Sequence, residues 1–257
     1  MFTGQNNTYD ISAIPALKNN YIWILHSTSD AYIVDPGDPV PVLDFLRRHQ
    51  LQPHAILVTH RHADHIGGIS GILREFSIPV IGPQEIDAIT HAVDEGDTYT
   101  LHAFNRHLQI LKIPGHTSEH IAYWCPQDQR LFSGDTLFSA GCGRVLGGTP
   151  EQLYSSLQRI ADLPDTTQIY ASHEYTQANL RFALSLEPEN PLLIAALADC
   201  QQLPTLPTNL LRERQINPFL RCQDPLLRKA IEAITGKTFT TPLALFIFLR
   251  QQKDIFQ

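Results

Sequence analysis

The chain has 257 residues, four cysteines, twelve histidines and a formal net charge of −7. That length allows one large domain or an ordinary domain with a smaller companion, and the acid excess speaks against an extended nucleic-acid surface, which needs clustered Lys and Arg. No stretch approaches the roughly 18 apolar residues of a membrane helix, and Met1 to Asp10 lacks the basic and apolar regions of a secretory signal.

Cys125, Cys142, Cys200 and Cys222 are scattered without Cys-x-x-Cys spacing, which suggests neither a disulfide framework nor a thiolate metal knuckle. A cytoplasmic protein with reduced thiols is expected, engaging neither nucleic acid nor membrane, and a monomer by default.

From Tyr9 to about Ser172 short β-type runs alternate with turns and a few helices, the pattern of a layered α/β domain. Ala55 to Thr59 precedes His60, and a helix is expected from Ile69 to Phe76. Leu108 to Ile113 leads through Pro114-Gly115 to His116, Leu131 to Gly134 precedes Asp135, and Gln168 to Ser172 delivers His173. Four strand ends thus present imidazole or carboxylate, and strand ends with their exit loops are where α/β proteins hold function. After His173 the runs turn helical, over Thr176–Leu186, Pro191–Gln202, Pro225–Ile234 and Pro242–Phe256, with Pro near several starts. A division into residues 1–173 and a helical domain over 174–257 is expected.

Thr59-His60-Arg61-His62-Ala63-Asp64-His65-Ile66-Gly67-Gly68 places three imidazoles and a carboxylate within six residues. Positions 60, 62 and 64 alternate as in an extended chain while His65 breaks the alternation, so one loop can serve two neighbouring points in space. Neutral imidazole with carboxylate oxygen is the donor set of zinc and similar divalent ions. Asp35, in Val34-Asp35-Pro36-Gly37, is read either as a partner that orients a ligand or as a turn-forming Asp. His120 is read as structural, with a supporting role at the site as the alternative, and His26, His49, His54, His91, His102 and His107 as surface or packing residues.

His60-x-His62-x-Asp64-His65 with the later His116, Asp135 and His173 resembles the metallo-β-lactamase superfamily. The resemblance implies an αββα sandwich, with His60, His62 and His116 on one metal, Asp64, His65 and His173 on a second, and Asp135 bridging. Gly134-Asp135-Thr136-Leu137-Phe138, Gly141-Cys142-Gly143-Arg144, His173-Glu174-Tyr175-Thr176, Asn217-Pro218-Phe219 and Arg250-Gln251-Gln252-Lys253-Asp254 further resemble the glyoxalase II family, along nearly the whole chain.

That likeness implies hydrolysis of a small-molecule glutathione thioester by hydroxide from a pair of divalent ions. Zinc is the expected metal, with iron and manganese compatible with the same donors. It further implies Asp64 and Asp135 as the catalytic carboxylates and Arg144, Tyr175, Arg250 and Lys253 as the contacts to the glutathione moiety. Arg144 and Leu146 depart from the Lys and aromatic residue frequent in the family, and Glu119 stands where Gly is common. The alternatives are a single-iron glutathione-persulfide dioxygenase of the same superfamily and a non-catalytic, metal-stabilised binding module.

Overall fold

The computed structural model describes residues 8–256; most of the N-terminal stretch read for a secretory signal lies outside them. The chain forms two compact units, each assembled from two stretches of sequence: Met1–Lys112 with Ile121–Gly134, and Ile113–His120 with Asp135–Gln257.

The first unit opens with β1 (Asp10–Ala16), β2 (Asn20–His26) and β3 (Asp30–Val34), then α1 (Pro39–His49), β4 (Gln52–Leu57), α2 (Ala63–Ile66), α3 (Ile69–Leu73), β5 (Val80–Gly82) and β6 (His91–Ala92). These six strands form one sheet in sequence order, antiparallel from β1 to β3 and parallel from β3 to β6. Apolar residues from this sheet bury with Val42, Leu46, Ile69 and Ile72 of α1 and α3 in one core. Helix α1 starts where Asp38 accepts the Val40 N–H and Pro39 supplies a preset φ.

A second, antiparallel set in the same unit comprises β7 (Thr98–Leu101), β8 (Arg106–Lys112), β9 (Ile121–Cys125) and β10 (Arg130–Gly134). The two sheets are tied by the buried Tyr123 hydroxyl, which lies 2.8 and 3.0 Å from the Val58 and Ile81 carbonyls.

The second unit contains the hairpin β11 (Leu137–Phe138) and β12 (Gly141–Cys142), then α4 (Pro150–Ala161), β13 (Gln168–Ala171), α5 (Thr176–Leu186) and α6 (Pro191–Asp199). It continues with β14 (Thr208–Asn209), which pairs antiparallel with β13, and with α7 (Leu210–Ile216), α8 (Pro225–Thr235) and α9 (Pro242–Ile255). A capping residue followed by Pro opens α4, α6, α8 and α9: Thr149-Pro150, Asn190-Pro191, Asp224-Pro225 and Thr241-Pro242. In each the side chain of the first residue accepts an otherwise orphan N–H while Pro occupies a position that needs none. Ala140, Leu180, Ala183, Leu193, Ala196 and Ile216 build a core of this unit.

Three sequence expectations are corrected. The helix expected to run to Phe76 stops at Leu73 and that expected to run to Gln202 stops at Asp199. The ligand loop is extended only through His62; Ala63–Ile66 is a helical turn, closed where the Gly67 N–H donates to the Ala63 carbonyl at 2.7 Å. No helix among the described residues is long and apolar enough to cross a membrane.

Candidate metal centre

Within the first unit, β4 runs out through Val58 and Thr59 into His60, and Asp35 leaves the end of the neighbouring β3. Asp35 has φ +51, a left-handed conformation that Asp tolerates better than most residues, and is buried. Its Oδ1 accepts the Thr59 N–H at 2.8 Å and its Oδ2 the Thr59 hydroxyl at 2.7 Å. With that hydroxyl proton committed, Thr59 Oγ1 accepts from His60 Nδ1 at 3.0 Å, which puts the His60 lone pair on Nε2. The same Asp35 Oδ2 takes the Nδ1 proton of His65 at 3.1 Å, so His65 also presents a lone pair on Nε2. One carboxylate thereby fixes the tautomers of two imidazoles, the usual outer support of a metal site. Asp35 turns its chain and orients two candidate ligands at once.

His60 Nε2 lies 3.1 Å from His62 Nδ1, and His65 Nε2 lies 3.6 Å from Asp64 Oδ2. Asp64 Oδ2 accepts from Asn20 Nδ2 at 2.9 Å. Asp35, His60 and His65 offer ligand-type atoms within 4.8 Å of one another. The approach depends on Gly37, where a Cβ would stand 1.9 Å from the Asp64 carbonyl oxygen.

In the second unit, His116 sits in the segment 113–120, closed where the Ile113 N–H donates to the His120 carbonyl at 2.8 Å. His116 Nδ1 donates to the Arg144 carbonyl at 2.8 Å, again leaving Nε2 as the lone-pair nitrogen. Asp135 Oδ2 stands 3.5 Å from His116 Nε2 and 3.3 Å from His173 Nε2, so one carboxylate oxygen faces two imidazoles. The Asp135 N–H donates to Nε2 of the fully buried His120 at 3.1 Å. His120 therefore holds the backbone of a candidate ligand, the supporting role set beside the structural reading. Gly143 is required here, since a Cβ would meet the Asp135 carbonyl oxygen at 1.9 Å. Glu119 is absent from the positive-φ positions among the described residues, so it needs no glycine-like backbone.

Tyr175 stacks on His173 with ring centroids 4.7 Å apart and planes 4° from parallel, while Phe138 meets both rings edge-on. Helix α9 brings Arg250, Lys253 and Asp254 together. Arg250 is buried: Nη1 donates to the carbonyls of Cys142 (2.8 Å) and Gly143 (3.3 Å), and Nη2 pairs with Asp254 at 3.0 Å. The exposed Arg144 pairs loosely with the same Asp254, at 3.6 Å. Lys253 Nζ donates to the Ala178 carbonyl at 3.3 Å and lies over the Phe182 ring. Partial burial, with the Arg250 and Arg144 cations nearby, holds the Lys253 pKa below the usual lysine value. Arg250 thus shapes the 142–143 backbone, which sequence reasoning could not foresee, while Arg144 is the more open cation.

These donor sets fit divalent metal. At His60, His65 and His116 the proton is drawn to Nδ1 by an oxygen acceptor, and Nε2 is left as a ligand. The Metallo-beta-lactamase superfamily pattern matches residues 15–173, and the Hydroxyacylglutathione hydrolase C-terminus pattern matches residues 174–256. Among solved structures, a B3 metallo-beta-lactamase, BLEG-1, aligns at a TM-score of 0.65 and 24% identity over 82% of this chain and 99% of its own. ETHE1 from Myxococcus xanthus aligns at 0.67 and 23% over 96% and 92%. Fold and donor residues together define a metal-binding αββα protein of the metallo-β-lactamase superfamily, extended by a helical C-terminal portion.

Hydroxyacylglutathione hydrolases of Nitrosomonas europaea and Vibrio cholerae are each 45% identical to this chain. They align over 96% of it and over 97% and 99% of their own lengths. The chain belongs to the hydroxyacylglutathione hydrolase family.

Proposed function

We propose that this protein hydrolyses S-(2-hydroxyacyl)glutathione thioesters, converting S-D-lactoylglutathione to D-lactate and glutathione in the second step of methylglyoxal detoxification. The observation that carries the reading is kinship over both portions of the chain, including the C-terminal match at 174–256. A superfamily ligand set alone is shared by unrelated activities.

We assign His60, His62 and His116 to one divalent ion, Asp64, His65 and His173 to a second, and Asp135 to both. Zinc is the expected metal, and iron or manganese satisfies the same donors. A pair of such ions supplies an acidified water and polarises a carbonyl. The chain's own groups do the rest. Asp64, its Oδ2 held by Asn20, is placed to take the proton released as water adds to the acyl carbon. The C–S bond then breaks and the sulfur leaves as a thiolate, a good leaving group that demands little from a general acid. No nucleophilic side chain is needed, since the four cysteines are buried and unpaired and burial pushes the Cys142 thiol up to about 11.

Tyr175, stacked on His173, is assigned to the glutathione moiety. Arg144, Arg250 and Lys253 supply positive charge for the glutathione carboxylates. We place the enzyme in the cytoplasm as a monomer acting on a small molecule, in keeping with its reduced thiols. In domain terms, residues 1–173 are proposed as the catalytic part and 174–257 as the substrate-binding part.

Turnover of S-D-lactoylglutathione by purified protein, with bound metal counted before and after chelation, tests the assignment. About two ions per chain, activity lost on chelation, and no turnover in His60→Ala or Asp135→Ala are expected. One iron per chain with oxygen consumption on glutathione persulfide would replace this reading with the dioxygenase.

A further inference from the structure

Between Asp135 and Arg144, whose carbonyl holds His116, the chain makes the β11–β12 hairpin with Ser139 and Ala140 at its turn. Ala140 has φ +53, a conformation disfavoured for a residue with a Cβ, so other groups hold the turn. They come from the C-terminal helices. The fully buried Glu213 of α7 accepts the Ala140 N–H on Oε2 at 2.7 Å and the Thr208 hydroxyl on Oε1 at 2.7 Å. Asn217, also fully buried, uses Nδ2 for the Phe138 carbonyl (3.1 Å), the Gly141 carbonyl (3.0 Å) and Glu213 Oε2 (3.0 Å). Asn179 of α5 donates to the Ser139 carbonyl at 3.0 Å. Each residue from Phe138 to Gly141 thus has a backbone N–H or carbonyl held by a side chain from α5, α7 or the residue that ends α7.

None of these three side chains has a part in metal or substrate binding as described above. A carboxylate in such surroundings is costly, and burial pushes the Glu213 pKa up against its hydrogen bonds. An apolar residue would fill the space more cheaply but could not fix a turn.

We propose that Glu213, braced by Asn217, is a positioning residue of the hydrolase: it sets the hairpin so that Asp135 at its entrance and the Arg144 carbonyl behind His116 at its exit stand where the metal ligands are needed. This rests on the assignment of Asp135 and His116 as ligands. Groups bonded directly to a ligand change metal affinity or activity by about 10–100-fold when removed; Glu213 acts one step further out, through the hairpin backbone.

The test compares Glu213→Ala, Glu213→Gln and Asn217→Ser as full-length, metal-loaded proteins, with Zn²⁺ affinity from chelator competition and kcat and KM on S-D-lactoylglutathione. In Glu213→Gln the amide oxygen still accepts from Ala140 and the amide nitrogen donates to Thr208 Oγ1. Zinc affinity and kcat within about threefold of wild type are therefore expected. Glu213→Ala is expected to weaken the binding of at least one zinc by tenfold or more and to lower kcat by tenfold or more, with KM within threefold. If Glu213→Ala does not fold, Asn217→Ser carries the same expectation.

A folded Glu213→Ala or Asn217→Ser protein that melts earlier but keeps wild-type zinc affinity and kcat would overturn the proposal. So would a Glu213→Gln protein as impaired as Glu213→Ala, since that outcome makes charge rather than hydrogen-bond geometry decisive. Wild-type protein that neither holds zinc nor cleaves the thioester defeats the functional reading itself, independently of any variant.

Discussion

Asp35 carries more of the site than its sequence context suggested, because one of its oxygens serves both the Thr59 hydroxyl and His65 Nδ1. Asparagine at this position has a single acceptor oxygen, and its amide protons would face a hydroxyl and an imidazole N–H. Asp35→Asn is expected to weaken metal binding by about 10–100-fold with the fold intact, measured by chelator competition beside circular dichroism. The candidate ligands were legible as residues because imidazole and carboxylate crowd one short loop and recur at strand ends. Their support was less so. Asp35 before Pro-Gly looks the same whether it turns the chain or orients a histidine. His120 acts through a ring nitrogen on the Asp135 N–H, a contact that exists only in three dimensions.

Helix α9 joins the cationic cluster to the rest of its unit. Lys253 must be protonated to pair with a carboxylate, and its pKa lies below the ordinary lysine value because of burial and then the adjacent Arg250 and Arg144 cations. As pH rises, the charge is lost earlier than for a solvated lysine, so KM for the thioester should climb from below the usual lysine range. Lys253→Ala should raise KM at neutral pH and remove that alkaline rise, which a KM–pH profile reads directly. Of the helices that open on a capping residue before Pro, α6, α8 and α9 were visible in the sequence, since cap and Pro act locally; α1 and α4, set among short β-type runs, were not. Nor were the brief α2 and α7. Four or seven residues span too few turns for a periodic pattern, although Leu210, Glu213 and Ile216 are all buried in α7.

Metal removal should lower the stability of the fold, because ions held only by the native state stabilise it by mass action. Ions at about a thousandfold their Kd stabilise the native state by roughly 4 kcal/mol, about 10 °C of melting temperature in a chain this size. A chelator-treated sample is expected to melt lower by that order, with the loss reversed by Zn²⁺; an unchanged melting curve would contradict metal held only by the native state. A molecule with a formal net charge of −7 would repel the proposed anionic substrate, and the proposed contacts Arg144, Arg250 and Lys253 set local positive charge against that repulsion.

The family patterns meet at residues 173 and 174, whereas the compact units interleave along the chain, the second taking up 113–120 and everything from Asp135 onward. Common ancestry and physical cohesion therefore divide this protein differently. A graft that exchanged the C-terminal portion between relatives at the ancestral junction would separate Glu213 and Asn217 from the hairpin they grip. Such a chimera would exchange the proposed contacts Tyr175, Arg250 and Lys253, and would have to rebuild the grip on the hairpin from the incoming chain's own side chains. New acyl specificities in this lineage should arise by replacing residues in place rather than by trading modules.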